Sequence, residues 1–325
     1  MPGAYAMNLR ADTLKSDTGP RSLLWTSGMS AYQLVCFTST ALTLLIFFLI
    51  TLGGLVRNAG AGLSCPDWPL CFGHVVPPMS YQVFLEWFHR LIAGSVSAFL
   101  LALSAIVFWK RDLRRTAGKY CGAALFLLMM QVVLGGLTVL GLLDPVWVSS
   151  HLAVGMAFFG TVLILTLKLY DFGSPVRKGL QAPKGLVLLA TIAGTALYGQ
   201  IILGGLVSSN YAGLACRDFP TCNGSWIPPF EGLVRFQFMH RVGAFLATLS
   251  AVVFLAVVWN TRDLKVTGRL RMAVLALPGL LTIQILLGVG SVFFQLPLLM
   301  SVAHLGTAAA LFGMLLVTNY EIRRC

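Results

Sequence analysis

GGLVRNAGAGLSCPDWPLC at 53–71 and GGLVSSNYAGLACRDFPTC at 204–222 are two copies of one stretch, 151 residues apart. The likeness continues outward at the same offset. VPP at 76–78 matches IPP at 227–229, and EWFHR at 86–90 matches QFMHR at 237–241. Beyond that the offset becomes 153: QVVLGG from Gln131 matches QILLGV from Gln284, and SSHL around His151 matches VAHL around His304. Self-similarity at so long a period marks a duplicated structural unit rather than a short solenoid repeat.

The composition says what that unit is made of. Of 325 residues, 57% are hydrophobic and only 10% charged, against roughly 25% charged in soluble domains. Mean hydropathy is +0.83, which excludes a soluble protein. A helical crossing takes about 20 mostly apolar residues, and eight runs qualify, near 34–56, 84–109, 119–141, 147–169, 185–207, 233–259, 270–293 and 298–319. The sequence therefore predicts an all-α polytopic membrane protein in which a four-helix unit occurs twice. An even number of crossings per unit makes the repeats parallel, about an axis along the membrane normal.

The net charge of +12 suggests nucleic acid, but such a partner needs a shared basic soluble face. Here the basic residues are scattered between apolar runs, so no nucleic acid partner is expected. Most of the 23 Lys and Arg residues fall on one side of the predicted spans: Arg10, Lys15 and Arg21; Lys110 to Lys119; Lys168 to Lys184; Arg262 to Arg271; Arg323 and Arg324. Basic loops stay in the cytoplasm, so both termini are expected there. The N-terminal stretch holds no short apolar core with a small-residue cleavage site, and no arginine-rich amphipathic presequence. No cleaved signal peptide is expected, and a bacterial plasma membrane is the expected address. The expected divisions are a cytoplasmic segment 1–33, a first bundle 34–170, a linker 171–184, a second bundle 185–320 and a tail 321–325.

Four of the five histidines, His89, His151, His240 and His304, occupy matched places in the two copies, each near the outer start of an even-numbered span. Two helices per copy thus offer one imidazole each at similar depth, which suits axial ligation of a haem between helices. A lone intramembrane histidine can instead simply hydrogen-bond to a neighbouring helix, but four matched positions argue for ligation. Zinc or copper fits less well, since no thiolate or carboxylate cluster joins the rings. No CxxCH attachment is present, so any haem is held without covalent linkage. His74 has Ser225 as its counterpart and is expected to be a loop residue.

The arginines away from the basic side need their own explanation. Arg90 and Arg241 directly follow two of the histidines; together with Arg57 and Arg217 they are candidates to bind haem propionates at the membrane edge. The plainer alternative is that they snorkel to lipid headgroups. Of the eleven carboxylates, only Glu86 lies at the edge of a span beside a proposed ligand, three residues before His89 and so on the same helix face. Its counterpart is Gln237, so the duplication breaks at the one side chain able to accept a proton there. The first copy is therefore the expected reaction site. Cys65 with Cys71, and Cys216 with Cys222, fall in outer loops on the oxidising side, where they can staple a loop or exchange with a thiol.

GLVRNAGAGLSCPDWPLCFG at 54–73, EWFHR at 86–90 and the four matched histidines resemble the haem A synthase family, over nearly the whole chain from about residue 35. The resemblance implies eight transmembrane helices in two pseudo-symmetric four-helix bundles. It implies oxidation of the C8 methyl of haem O to the formyl group of haem A through hydroxylated intermediates. His89 and His151 would then hold the substrate haem, His240 and His304 a haem b cofactor, and Glu86 would match the family's essential glutamate. Both loop cysteine pairs are present, as in the Bacillus-like members, which makes disulfides plausible. Haem O synthase and an electron acceptor are the implied partners. Two other classes compete. A di-haem b electron-transfer protein would use the same histidines but has no need of Glu86. A transporter built on two repeats would show broken helices and midplane polar groups, which the sequence does not clearly show.

Overall fold

The computed structural model describes residues 31–172, 183–261 and 268–324. It contains α1 (Ala31–Asn58), α2 (Tyr81–Trp109), α3 (Arg111–Leu140), α4 (Pro145–Tyr170), α5 (Lys184–Ser209), α6 (Val234–Asn260), α7 (Gly268–Phe293) and α8 (Leu298–Ile322). All eight are long and apolar enough to cross a membrane, and the chain is a multi-pass membrane protein. Each expected span lies within one helix or overruns it by a residue. Most helices start earlier because their first turns are polar or aromatic. Ser80 caps α2 by accepting from the Val83 amide, and Asp144 caps α4 by accepting from Val146 at 2.8 Å with Pro145 next in line. Nearly all of the expected N-terminal segment and most of the expected linker lie outside the described residues.

In the first half, α1 packs on α2, α2 on α3, α3 on α4 and α4 back on α1, which closes a ring of four. Helices α2 and α4 therefore stand on one diagonal, α1 and α3 on the other. In the second half α5 packs on α6 and α8, and α7 on α8, but among the described residues α6 and α7 do not pack along one another. The tight core occupies the end away from the disulfide loops, built on Leu42, Ile46, Leu100, Leu103, Leu165 and Leu277.

The halves meet through α1, α4, α5 and α8. With lipid on both sides there is no hydrophobic drive between helices, so close approach at small residues supplies the contact. A Cβ placed on Gly54 would stand 2.7 Å from Leu305 Cδ2, and one on Gly205 2.8 Å from Leu152 Cδ2. Deeper down, Gly160 receives Leu316 and Phe312, and Gly313 receives Phe159. Each of these contacts has its counterpart in the other half. At the inner end Asp171 takes Arg269 at 2.6 Å, the Tyr320 hydroxyl at 2.7 Å and Arg324, while Arg269 also pairs with Glu321 at 2.7 Å. Burial opposes ionisation of Asp171, but these partners outweigh it and hold the carboxyl below its usual range.

The short turns after α3 and α7 are matched as well. Leu142, Leu143, Gln295 and Leu296 all have positive φ, a conformation unfavourable for residues with a Cβ. That conformation serves a contact: Leu143 fills the space over Gly62, and Leu296 the space over Gly213, so each turn is plugged into the loop that carries the disulfide.

Candidate functional site

The four histidines lie six to eight residues past the first residue of α2, α4, α6 and α8, or roughly 9 to 12 Å at 1.5 Å per residue, which for His89 and His151 is deeper than the expected spans place them. His89 and His151 come within electrostatic reach of each other across the α2–α4 diagonal, as do His240 and His304 across α6 and α8. The other diagonal carries glycine at the same level. A Cβ on Gly53 would stand 3.1 Å from His89 Cε1, on Gly135 3.4 Å from His151, on Gly204 3.1 Å from His240 and on Gly288 2.9 Å from His304. Each imidazole thus sets its Cε1 edge close against the backbone of the preceding helix, where a Cβ would crowd it at Gly53, Gly204 and Gly288 and just touch it at Gly135.

The polar atoms of these rings are poorly served by protein. Nδ1 of His89, His151 and His304 is buried with no hydrogen-bond partner, while each ring as a whole is only half-buried. Buried polar groups normally find partners, so three orphaned Nδ1 atoms at similar depth mark a site made for something other than protein. Two opposed imidazoles, with glycine in place of side chains on the crossing diagonal, fit a flat macrocycle ligated from both faces. No cluster of three or more metal-ligating side chains occurs among the described residues. Gln131 donates to the His151 carbonyl at 2.9 Å, its counterpart Gln284 lies 3.3 Å from His304 Nε2, and Gln200 lies 2.9 Å from His240 Nδ1.

Glu86 is buried and pairs with Arg90 at 2.9 Å, one turn along α2. The two do not act alone. The Arg90 guanidinium also donates to the carbonyls of Asp67 (2.7 Å), Cys65 (3.1 Å) and Leu70, and Arg241 donates to the carbonyls of Cys216 (2.9 Å) and Thr221. Both arginines therefore clamp the loop above their histidine. The sequence shows the Arg but not this use of it, because the acceptors are backbone oxygens. Arg57 reaches across the seam to Ser208 O at 2.9 Å and the Tyr211 hydroxyl at 3.0 Å, and its buried Nε has no partner. Arg217 is exposed in the second loop.

The loops themselves are matched. Cys65–Cys71 and Cys216–Cys222 are disulfide-bonded, with Cα separations of 4.7 and 4.6 Å. Asp67 accepts the amides of Phe72 (2.6 Å) and Gly73 (2.7 Å), and Asp218 those of Asn223 and Gly224 together with the Thr221 hydroxyl. These bonds hold Asp67 below the usual carboxylate range and Asp218 at about 2. Neither aspartate is among the sequence-based candidates; the D shared by CPDWP and CRDFP is the signal that could have found them. His74 contributes only backbone, pairing with Cys71 as Ser225 pairs with Cys222, which is why the two positions tolerate different residues. Trp68 covers Gly136 on α3, next to the glycine that seats His151. Cys36 and Cys121 are free and buried.

Fold and site together define a polytopic helical membrane protein whose halves each hold two imidazoles in mutual reach across a bundle diagonal. The chain belongs to the cytochrome oxidase assembly protein family, COX15-CtaA, whose model matches residues 37–83 and 79–316. It is 32% identical over 312 residues to the haem A synthase of Shewanella oneidensis, covering 83% of this chain and 91% of that one. It is 30% identical over 292 residues to the haem A synthase of Bacillus licheniformis, covering 86% and 94%. With the haem A synthase of Halalkalibacterium halodurans the identity is 33%, over 65% of this chain and 70% of the relative.

Proposed function

We propose that this protein is a haem A synthase, an oxidoreductase that converts the C8 methyl of haem O to a formyl group. The observation that carries the reading is the pair of matched histidine diagonals, each with glycine crossing it, of which only one has a buried glutamate three residues before a ligand. Family membership and the named relatives support it.

His89 and His151 bind the substrate haem through its iron, in the unit 34–170. His240 and His304 bind a resident haem b in the unit 185–320. When bound, that haem would supply one-electron chemistry. Glu86 takes up, on its carboxylate, a proton lost from the substrate methyl, and the Arg90 contact sets where that carboxylate stands. The same contacts fix the loop 65–71 over the site, so the ring edge is held in one orientation. Arg57, whose Nε is unpartnered, Arg217, and the N–H groups that Arg90 and Arg241 do not spend on the loops would hold haem propionates. The placement of Lys and Arg supports cytoplasmic termini, in a bacterial plasma membrane. Haem O synthase is the natural donor of substrate, and the electrons leave to a separate acceptor.

The test is extraction of non-covalent haem from protein made beside a haem O source, with the porphyrins identified by mass. Haem O with hydroxylated or formyl products, beside haem B, is expected. Haem B alone, despite confirmed haem O supply, would mean a di-haem electron carrier, and no haem at all would overturn the ligand assignment.

A further inference from the structure

The two halves differ at a pair of positions that change together, one in the disulfide loop and one on the third helix of the unit. Trp68 lies with its indole on Gly136 of α3: a Cβ there would stand 3.2 Å from Trp68 Cδ2 and 3.4 Å from Cε2 and Cε3. Cδ2 is an atom of the ring fusion, so it is the face of the indole that meets the helix. Gly136 is buried, and its neighbour Gly135 seats His151, so the indole reaches to within one residue of the level of that seat. Toward α2, the Arg90 guanidinium holds the carbonyls of Asp67 and Leu70, which bracket Trp68. The loop is thus fastened to α2 and laid on α3, and those two helices also pack along one another. In the second half Trp68 becomes Phe219 at the 151-residue offset, and Gly136 becomes Val289 at the 153-residue offset. The glycine notch is gone, the Phe219 ring centre lies instead 5.9 Å from the Arg241 guanidinium carbon on α6, and among the described residues α6 and α7 do not pack along one another.

We infer that Trp68, seated on Gly136, closes the α2–α3 side of the first haem site and keeps the partly oxidised haem there until the formyl group is made. This rests on the haem A synthase reading above and deepens it. Methyl to formyl takes two successive two-electron oxidations, so the alcohol formed first must stay, in one orientation, for the second. An indole suits that task, because it brings a large flat apolar face to a flat ring. A half that only keeps a cofactor has no intermediate to retain, and there the matching side is left open.

The experiment has two parts, both on the full-length purified protein. In protein made beside a haem O source, extracted porphyrins are identified by mass. Trp68→Ala should raise the ratio of hydroxylated to formyl haem about 10-fold, the contribution of one partly buried apolar side chain. Gly136→Val copies the other half, pushes the indole away and should do the same. Together they should do no more than Trp68→Ala alone, because the larger side chain then has no indole to displace. In the Glu86→Gln background, in which haem O is expected to bind unconverted, Trp68→Ala should speed transfer of haem O to excess apomyoglobin about 10-fold, while haem B leaves at the parent rate. A ratio and a transfer rate equal to the parent's would overturn the inference and leave the synthase reading intact. A fall of both products in equal proportion, which marks damage to the fold alone, would overturn it too. Additive effects of Trp68→Ala and Gly136→Val would overturn the role of the notch. A parent protein that makes neither product would instead defeat the synthase reading itself.

Discussion

Arg90 holds Glu86 at 2.9 Å while its other N–H groups hold three carbonyls of the loop 65–71. The proposed proton acceptor and the cover over its site therefore share one guanidinium. Arg241 has the same hold on its own loop, but Gln237 replaces the carboxylate and its buried Oε1 is without a partner. Arg90→Ala strands a buried carboxylate and should cost about 3 to 5 kcal/mol. Arg241→Ala gives up hydrogen bonds to backbone oxygens and a contact with the Phe219 ring but strands no carboxylate, and should cost about 1.5 to 3 kcal/mol. Thermal unfolding of the two variants in the same detergent would show the order. Equal losses would mean that the Glu86 contact contributes nothing.

Glu86→Gln copies the other half of the molecule at this position. Haem content should be kept and formyl production should fall about 10²- to 10⁴-fold, the usual yield of a positioned acid or base. Mass analysis of extracted porphyrins measures both. Unchanged haem A formation would remove Glu86 from the reaction.

The glycines that seat the four rings give a graded prediction. Alanine at Gly288, where a Cβ would come within 2.9 Å of His304, should displace the ring most; Gly53 and Gly204 follow at 3.1 Å, and Gly135 at 3.4 Å should suffer least. Gly94 on α2 has nothing within 4 Å of such a Cβ and serves as the control, where alanine should be neutral or slightly stabilising. Bound-haem absorbance per protein ranks the series. A rank unrelated to these distances would separate the notches from ligand placement.

Asp218 offers a pH test outside the membrane. Hydrogen bonds from Thr221, Gly224 and Asn223 depress its carboxyl to about 2. A depressed carboxylate stabilises the fold fully above its unfolded value near ~3.9, and that contribution is lost as pH falls through the folded value. The loop 216–224 should hence keep its form down to about pH 2 to 3. A carbon-13 shift titration of the Asp218 carboxyl would check it; a midpoint near ordinary aspartate would contradict the hydrogen-bonded loop.

What the sequence made legible follows from what repeats leave in it. Eight apolar runs, two cysteine pairs and four histidines are residue types at spacings, and each is present in the structure at or near its expected place. The depth of His89 and His151 came out short because the first turns of α2 and α4, begun by Tyr81 and Pro145, are not apolar throughout, so hydropathy starts those two spans late. The clamps of Arg90 and Arg241 were hidden because a carbonyl oxygen has no letter. The Gln200 contact was hidden for a different reason. Gln200 sits in the middle of a span, and only the packing shows that its amide meets His240 Nδ1 and the His240 carbonyl. Gly53, Gly54, Gly204 and Gly205 could be read as places for close packing, but not which partner each receives.

Those last four residues set a gauge. In each doublet the first glycine backs the histidine of its own half, and the second admits the leucine that follows a histidine of the other. One peptide unit therefore separates a ring in one bundle from a contact belonging to the other. If the halves slipped along each other by a single residue, Leu152 and Leu305 would each be driven against a helix backbone, while the imidazoles, seated on glycines of their own halves, would move with those halves to different heights. The seam between the copies thus fixes a common height for all four rings. It also means that the two halves, however far their loops and surfaces drift apart, must keep step at the doublet.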